Sequence, residues 1–350
     1  MGKGVMLDRR QLLAAGGAAA TLAASGSKAQ AQARTITVGV FAGVVGNTVN
    51  DKAVPDFTAA NPGTTVRMTT RAAAEAYPRM LVSRSSPIEN GGMWNDTFAA
   101  LGAKADLFMQ PDAANIPSLA KVPRPLMPKH PFGIPVAVQP YGIAYNPDLV
   151  EKPKSWLDLF NPKYVGKVCM HENFWDQYVM LAKILGKDEY NLSVAIDEWA
   201  KHKQNIGVWT NSFTRLEELV DKGEMWLGPQ WGGFTEGARK RGLKIAFAWP
   251  EEGCTQQTIQ ACVTKGGPAE LSQATQRFFE YWLQPNFQTG LLTQLGLSPT
   301  NPDVPIPPEY AALEGVIDPK KPTKPLFQYD FAYVGENLPR IRREIDQKLR

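Results

Sequence analysis

The stretch from Ile134 to Met170 limits what this chain can become. It opens I-P-V-A-V-Q-P-Y-G-I-A-Y-N over residues 134–146. Pro135 and Pro140 hold the residues before them out of the helical region, so an extended crossing is predicted here. Tyr141 to Asn146 then alternates as a strand does. Ser155 is placed to cap a short helix whose buried side carries Trp156, Leu159 and Phe160, and Asn161-Pro162 stops it. Gly166 opens a new strand over Lys167 to Met170. The chain leaves one lobe through a proline-stiffened strand and starts another.

At 350 residues there is room for two domains or one large two-lobed one. A hydrophobic content of 43% with 10% aromatics is that of a packed globular protein, not a disordered one. The N-terminus reads as a targeting segment. Asp8-Arg9-Arg10-Gln11-Leu12-Leu13 is a twin-arginine pattern, Leu12 to Ala24 is weakly apolar, and Ala31-Gln32-Ala33 fits an A-x-A cleavage site. Residues 1–33 are therefore expected to be a leader, and the mature protein to be periplasmic. Beyond it no apolar run reaches membrane-spanning length. The formal charge of +4 is mostly the leader's, through Lys3, Arg9, Arg10 and Lys28 against Asp8. The remainder is nearly neutral and offers no basic footprint for nucleic acid. Export permits a disulfide; Cys254 and Cys262 are candidates across a short turn, with Cys169 left over, or all three are buried small residues.

Along the chain, a strand over Arg34 to Val40, a glycine-bearing loop from Phe41 to Asn47, a helix from near Thr48 to Ala60 and a strand over Thr65 to Met68 make a βαβ unit. A helix over Ala73 to Arg84 follows. After the crossing the order repeats. Helices are predicted over Phe174 to Leu185 and Leu192 to Lys203, then from a capping box at Thr214 to Gly223. A strand over Glu224 to Leu227, a loop over Gly228 to Gly233, a helix over Phe234 to Arg241 and a strand over Leu243 to Trp249 complete the second unit. A return crossing spans Trp249 to Val263. An amphipathic helix starts near Pro268 and a last helix covers about Leu338 to Leu349. The fold class is α/β with two lobes, each a mainly parallel sheet flanked by helices: residues 34–140 plus 257–302, and 141–256 plus 303–350.

Catalysis has little to work with. The three histidines sit in unpromising places: His130 between Lys129 and Pro131, His202 at a polar helix end, and His171 after a strand beside Glu172. No G-x-S-x-G, H-E-x-x-H or Walker pattern occurs, so no enzyme, no cofactor and no metal are expected. Binding needs loops at the carboxyl ends of parallel strands. Five qualify: Phe41 to Asn47, Thr69 to Ala72, Met93 to Thr97, His171 to Asn173, and Gln230 to Gly233, with Gln256 and Gln257 at the return crossing. Trp94, Trp175 and Trp231 are candidate walls for a small polar ligand, or core residues. Arg71 is a candidate carboxylate anchor, or a solvated loop arginine. Asn95 and Asp96 are ligand groups or a helix cap. Phe41, Asn47, Glu172 and Gln257 complete the candidate set. Helix N-termini behind these loops favour an anionic or zwitterionic ligand.

The run Y-G-I-A-Y-N at residues 141–146 followed by S-W-L-D-L-F-N-P-K-Y-V-G-K-V at 155–168 resembles the extracellular solute-binding proteins of ABC importers, nearest the spermidine/putrescine-binding group. The resemblance extends through Trp249-Pro250-Glu251-Glu252-Gly253 and Gly296-Leu297-Ser298-Pro299-Thr300-Asn301-Pro302 and covers nearly all of the mature chain. It implies the two-lobed (type II) periplasmic-binding-protein fold, a small-molecule ligand, a membrane permease as partner and a monomer. The group's polyamine set does not carry over. Its return-crossing tryptophan and ammonium-binding aspartate fall on Gln257 and Ile259, and its first-loop aromatics are missing, with Phe41 and Val44 nearby. Trp231 matches its second-lobe tryptophan. Ferric-binding relatives look to adjacent tyrosines, and no Tyr-Tyr pair occurs. The expected solute is therefore carboxylate-bearing or zwitterionic. A polyamine, an exported enzyme on the same scaffold and a ligand-sensing module are the alternatives.

Overall fold

The computed structural model describes Met1, residues 34–321 and residues 324–350, so the leader read at residues 1–33 lies, Met1 apart, outside the described residues. The strands are β1 (Arg34–Val40), β2 (Thr64–Thr70), β3 (Gly91–Asn95), β4 (Phe108–Met109), β5 (Ile134–Tyr145), β6 (Val168–His171), β7 (Ile206–Thr210), β8 (Leu227–Trp231), β9 (Ala246–Ala248), β10 (Cys254–Thr264), β11 (Ser298–Pro299) and β12 (Leu326–Phe327). Their main path is β2-β1-β3-β10-β5-β8-β6-β7. β1 runs parallel to β2 and β3, and β6 parallel to β7 and β8. Between these two parallel groups lie β10 and β5, antiparallel to each other and to their outer neighbours.

Each parallel group has its own hydrophobic core. Ile36, Val38, Met93, Phe278, Trp282 and Phe287 centre one. Tyr141, Met170, Tyr178, Trp199 and Leu227 belong to the other. Both faces of β1 are covered from Ile36 to Val40, as a parallel sheet between helices requires. The crossing is a single strand, β5, buried throughout despite Pro135 and Pro140. The Ser155 cap forms as the sequence suggests. Its hydroxyl accepts from the Leu157 N–H, and Asp158 accepts from the Ser155 N–H.

Several expectations shift. The first helix begins at Val44, with a π-helical turn at Val49–Ala53 before Val54–Ala60. Residues 93–95, read as the start of the loop Met93 to Thr97, belong to strand β3, Gly91–Asn95. Gly92 allows that strand to lie against β1, because a Cβ there would sit 2.6 Å from the Gly39 carbonyl oxygen. The expected loop at Gly228 to Gly233 is largely β8, followed at once by the helix Gly232–Lys240. Gly228 is there for strand approach, since a Cβ would overlap the Cys169 carbonyl oxygen of β6. Ser212, not Thr214, caps the helix Phe213–Asp221. The last helix starts at Phe331, capped by Asp330. Strand β7, half-buried at the sheet edge, was not foreseen. Cys169, Cys254 and Cys262 are free and buried. Cys254 and Cys262 lie along the one extended strand β10, which at about 3.3 Å per residue keeps their thiols far apart.

The close β8–β6 contact makes a prediction. Gly228→Ala should destabilise the protein by about 2 kcal/mol or more, because backbone must move to admit the methyl. Gly267→Ala, whose new Cβ meets nothing nearer than 3.7 Å, should change stability by less than about 0.5 kcal/mol. Urea denaturation of both variants checks the contrast.

Candidate functional site

A cleft of about 330 Å³ opens where the ends of the two parallel groups meet. One side is built from Phe41 and Val44 after β1, Asn95 at the end of β3, and Ile259 on β10. The other side carries Phe174 beyond β6, Phe213 at a helix start, Trp231 at the end of β8 and Phe234 just after it. Gln139 of β5 and Gln257 of β10 come from the crossing strands between them.

The second side is a continuous aromatic wall. Ring centroids are 5.2 Å apart for Phe174–Trp231, 5.0 Å for Phe174–Phe213 and 5.0 Å for Phe213–Phe234. Trp231 is braced from behind by Tyr141 at 4.5 Å. His171 stacks on Phe213 at 4.7 Å and touches Phe174 at 4.3 Å. Burial lowers the His171 pKa to about 4, so its ring is neutral. Its Nδ1 accepts from the Asn173 N–H, which places the remaining proton on Nε2. Two deeply buried polar atoms on cleft residues have no partner among the described residues: the Trp231 indole N–H and the Gln139 side-chain oxygen. One is a donor and the other an acceptor. Among the described residues no charged side chain lines the cleft.

Four of the expected site residues come together here: Phe41, Asn95, Trp231 and Gln257. Asn95 also caps the helix Asp96–Lys104 through the Phe98 N–H. The other six do not line the cleft, and each has a physical reason. Arg71 is buried, with Nη2 3.0 Å from the Glu89 carboxylate and Nη1 donating to the Met93 carbonyl at 2.7 Å. Its guanidinium lies 4.5 Å from the centre of the Trp94 ring, which makes Trp94 core rather than wall. The carboxylate anchor read at Arg71 is thus part of the framework. Asn47 is exposed on the first helix. Glu172 pairs with Arg350 at 3.0 Å, and Trp175 is buried with the Arg342 guanidinium 5.3 Å from its ring. Asp96, the first residue of the helix Asp96–Lys104, is buried against β10, accepting from the Thr258 N–H at 2.5 Å and the Gln260 amide at 2.6 Å. Sequence reasoning missed Gln139, Phe174, Phe213 and Phe234. Phe174 directly follows the loop His171 to Asn173, and Phe213 directly follows the true helix cap, so both carried a positional signal.

Among the described residues no group of three or more His, Cys, Asp or Glu is placed to hold a metal ion, and no helix is long and apolar enough to cross a membrane.

The arrangement of strands and helices is the two-lobed architecture of the periplasmic-binding-protein fold. The chain belongs to the bacterial extracellular solute-binding protein family, which it matches over residues 52–317. It is similar to the spermidine/putrescine-binding periplasmic protein of Escherichia coli (strain K12), at 30% identity over 138 residues, 37% of this chain and 39% of that one. The chain thus spans about two fifths of the length of the curated relatives it matches. Among solved structures, an extracellular solute-binding protein from Bordetella parapertussis superposes with a TM-score of 0.78 at 20% identity, covering 90% of this chain and 99% of that one. A structure described as the Atu4243-GABA receptor gives a TM-score of 0.74 at 18% identity, covering 91% and 98%. The likeness to both is one of fold.

Two predictions follow from the buried charges. Arg71→Ala strands the Glu89 carboxylate and should destabilise the fold by about 3 kcal/mol or more. The folded variant should keep its ligand affinity; an affinity loss without a stability loss in calorimetry and urea titration would return Arg71 to the site. Burial also raises Asp96 to about 7 from an ordinary value of 3.8. The native state keeps a proton there that the unfolded chain has released, so this group lowers stability as pH rises from about 4 to 7. His171 has the opposite sign, costing stability as pH falls from about 6.5 to 4. Asp96→Asn should therefore show a steeper rise of stability with pH across about 4 to 7 than the parent. Urea titrations across that range read the slope, and an unchanged slope would contradict the buried neutral acid.

Proposed function

We propose that this protein is the exported, solute-capturing component of an ABC importer. It closes two lobes, residues 34–140 plus 257–302 and residues 141–256 plus 303–350, on one small molecule and delivers it to a membrane permease. The twin-arginine pattern supports a periplasmic location, and the protein acts as a monomer that binds without turning its ligand over. The observation that carries this reading is the cleft itself. Phe41, Asn95 and Ile259 face it from one lobe and Phe174, Phe213 and Trp231 from the other. Two crossing strands between the lobes, β5 and β10, make hinge closure the cheap motion.

The cleft lining also narrows the solute. A carboxylate or a dication enclosed there would lose hydration with no counter-charge, at a cost of several kcal/mol. The carboxylate-bearing or zwitterionic solute expected from Arg71 loses its anchor, and a polyamine lacks its carboxylates. The ligand proposed is a net-neutral solute with a flat or aliphatic body. It carries an acceptor for the Trp231 N–H and a donor for the Gln139 oxygen, the two buried groups without partners. A second reading is an alkylated ammonium ion. The wall of Phe174, Phe213, Trp231 and Phe234 favours it, because aromatic faces attract such cations without a carboxylate.

Calorimetry tests the solute class with neutral amides and polyols, choline, γ-aminobutyrate, putrescine and spermidine. The last three are suggested by the names of the structural and sequence neighbours. Binding is expected among the neutral solutes or choline; tight binding confined to polyamines or to γ-aminobutyrate would overturn the assignment. With a bound solute, small-angle scattering should show a smaller radius of gyration. Phe174→Ala should cost about 2 kcal/mol of binding, as truncated aromatic anchors do. Trp231→Phe, which keeps the packing and removes the N–H, should cost about 1 kcal/mol. Full affinity in both variants would place the ligand elsewhere.

A further inference from the structure

We propose that the protein holds a second small-molecule site, separate from the cleft, that takes a compact primary ammonium ion between the helix Asp96–Lys104, the loop around His130 and the segment leading into the last helix. This cavity measures about 480 Å³ and shares no lining residue with the cleft.

Two of its polar side chains, Gln260 and His130, hold buried atoms without a partner among the described residues, and Asp96 has acceptor capacity to spare. Asp96 is buried, and its two oxygens hold one hydrogen bond each, from the Thr258 N–H and the Gln260 amide. A carboxylate has room for about four, and a bound ammonium favours its ionised form over the protonated one that burial alone favours. Gln260 is 1% exposed, and its carbonyl oxygen has no partner among the described residues. Neither ring nitrogen of His130 has one. Burial lowers the His130 pKa to about 4, so the ring is neutral and offers one acceptor nitrogen. At the margin Lys104 is tied to Glu336 at 2.7 Å, which leaves Lys129 against Glu189 and Asp330 in the lining. An ammonium brings three N–H donors and a positive charge, and it can meet Asp96, Gln260 and His130 together. Phe132 and Tyr329 add aromatic surface for its carbon body. The inference stands apart from the identity of the solute in the cleft, because its ligand is recognised by a different set of side chains.

The test uses the whole protein and two probes of one shape, cyclohexylammonium chloride and cyclohexanol, followed by calorimetry. Saturable binding of the ammonium is expected, with cyclohexanol at least about tenfold weaker, the difference a charge-assisted hydrogen bond makes. Asp96→Asn should weaken the ammonium by a similar factor. Ala100→Phe fills the cavity while keeping the carboxyl, and should abolish binding; it decides the question if the Asn variant does not fold. Phe174→Ala, in the cleft, should leave ammonium binding as it is. The proposal is overturned by no saturable binding, by equal binding of cyclohexanol, by full binding in Ala100→Phe, or by loss in Phe174→Ala.

Discussion

The pairing of β5 with β10 runs from Thr255 opposite Tyr141 to Ala261 opposite Ile134, and it passes from one hydrophobic core to the other. A bulge between Ile259 and Gln260 shifts the register midway. Two buried acids fasten β10 at this crossing. Asp176, at the start of the helix after β6, accepts from the Thr255 hydroxyl at 2.7 Å. Asp96, at the start of the helix after β3, accepts from the Thr258 N–H and the Gln260 amide. One helix N-terminus from each parallel group is thereby tied to the same strand. Burial raises Asp176 to about 6 and Asp96 to about 7, so both carboxyls hold their protons to higher pH than an exposed aspartate does.

That arrangement explains the chemistry of the cleft. The ends of the parallel strands converge beside the crossing, where open α/β sheets place their ligands. The charged side chains nearby are already used in the framework. Arg71 is held by Glu89 and the Met93 carbonyl, Glu172 by Arg350, and Asp96 and Asp176 by β10. What remains at the surface of the cleft is aromatic, aliphatic and amide, with the Thr258 hydroxyl. A site of this kind selects by shape, by ring faces and by a few directed hydrogen bonds.

Much of this was legible before any coordinates. Hydrophobic periodicity located β1 to the residue, and the two prolines marked β5 as an extended crossing. The order of strands and helices implied a mainly parallel sheet in each lobe; the structure has two parallel groups that the antiparallel β5 and β10 join into one sheet. Gly228 misled, because a sequence cannot distinguish a glycine that turns a chain from one that lets two strands approach. Arg71 misled for a related reason. A strand-end arginine reads as a ligand anchor until Glu89, distant in sequence and adjacent in space, is seen to neutralise it. Trp231 was identified from the strand-to-helix junction it occupies. Its neighbours Phe174, Phe213 and Phe234 were not, since a contiguous wall assembled from three elements has no local sequence period. Gln139 escaped because it sits within the crossing strand rather than in a loop.

The proposed ligand site is the cleft between the two lobes, whose described lining is uncharged. A crystal structure of the protein with its bound solute tests this most directly. The solute should lie between Phe41 and Ile259 on one side and Phe174, Phe213 and Trp231 on the other, hydrogen-bonded to Trp231 Nε1 and Gln139, with no ion pair to protein. A solute outside this cleft, or one held by an arginine or a carboxylate, would contradict it.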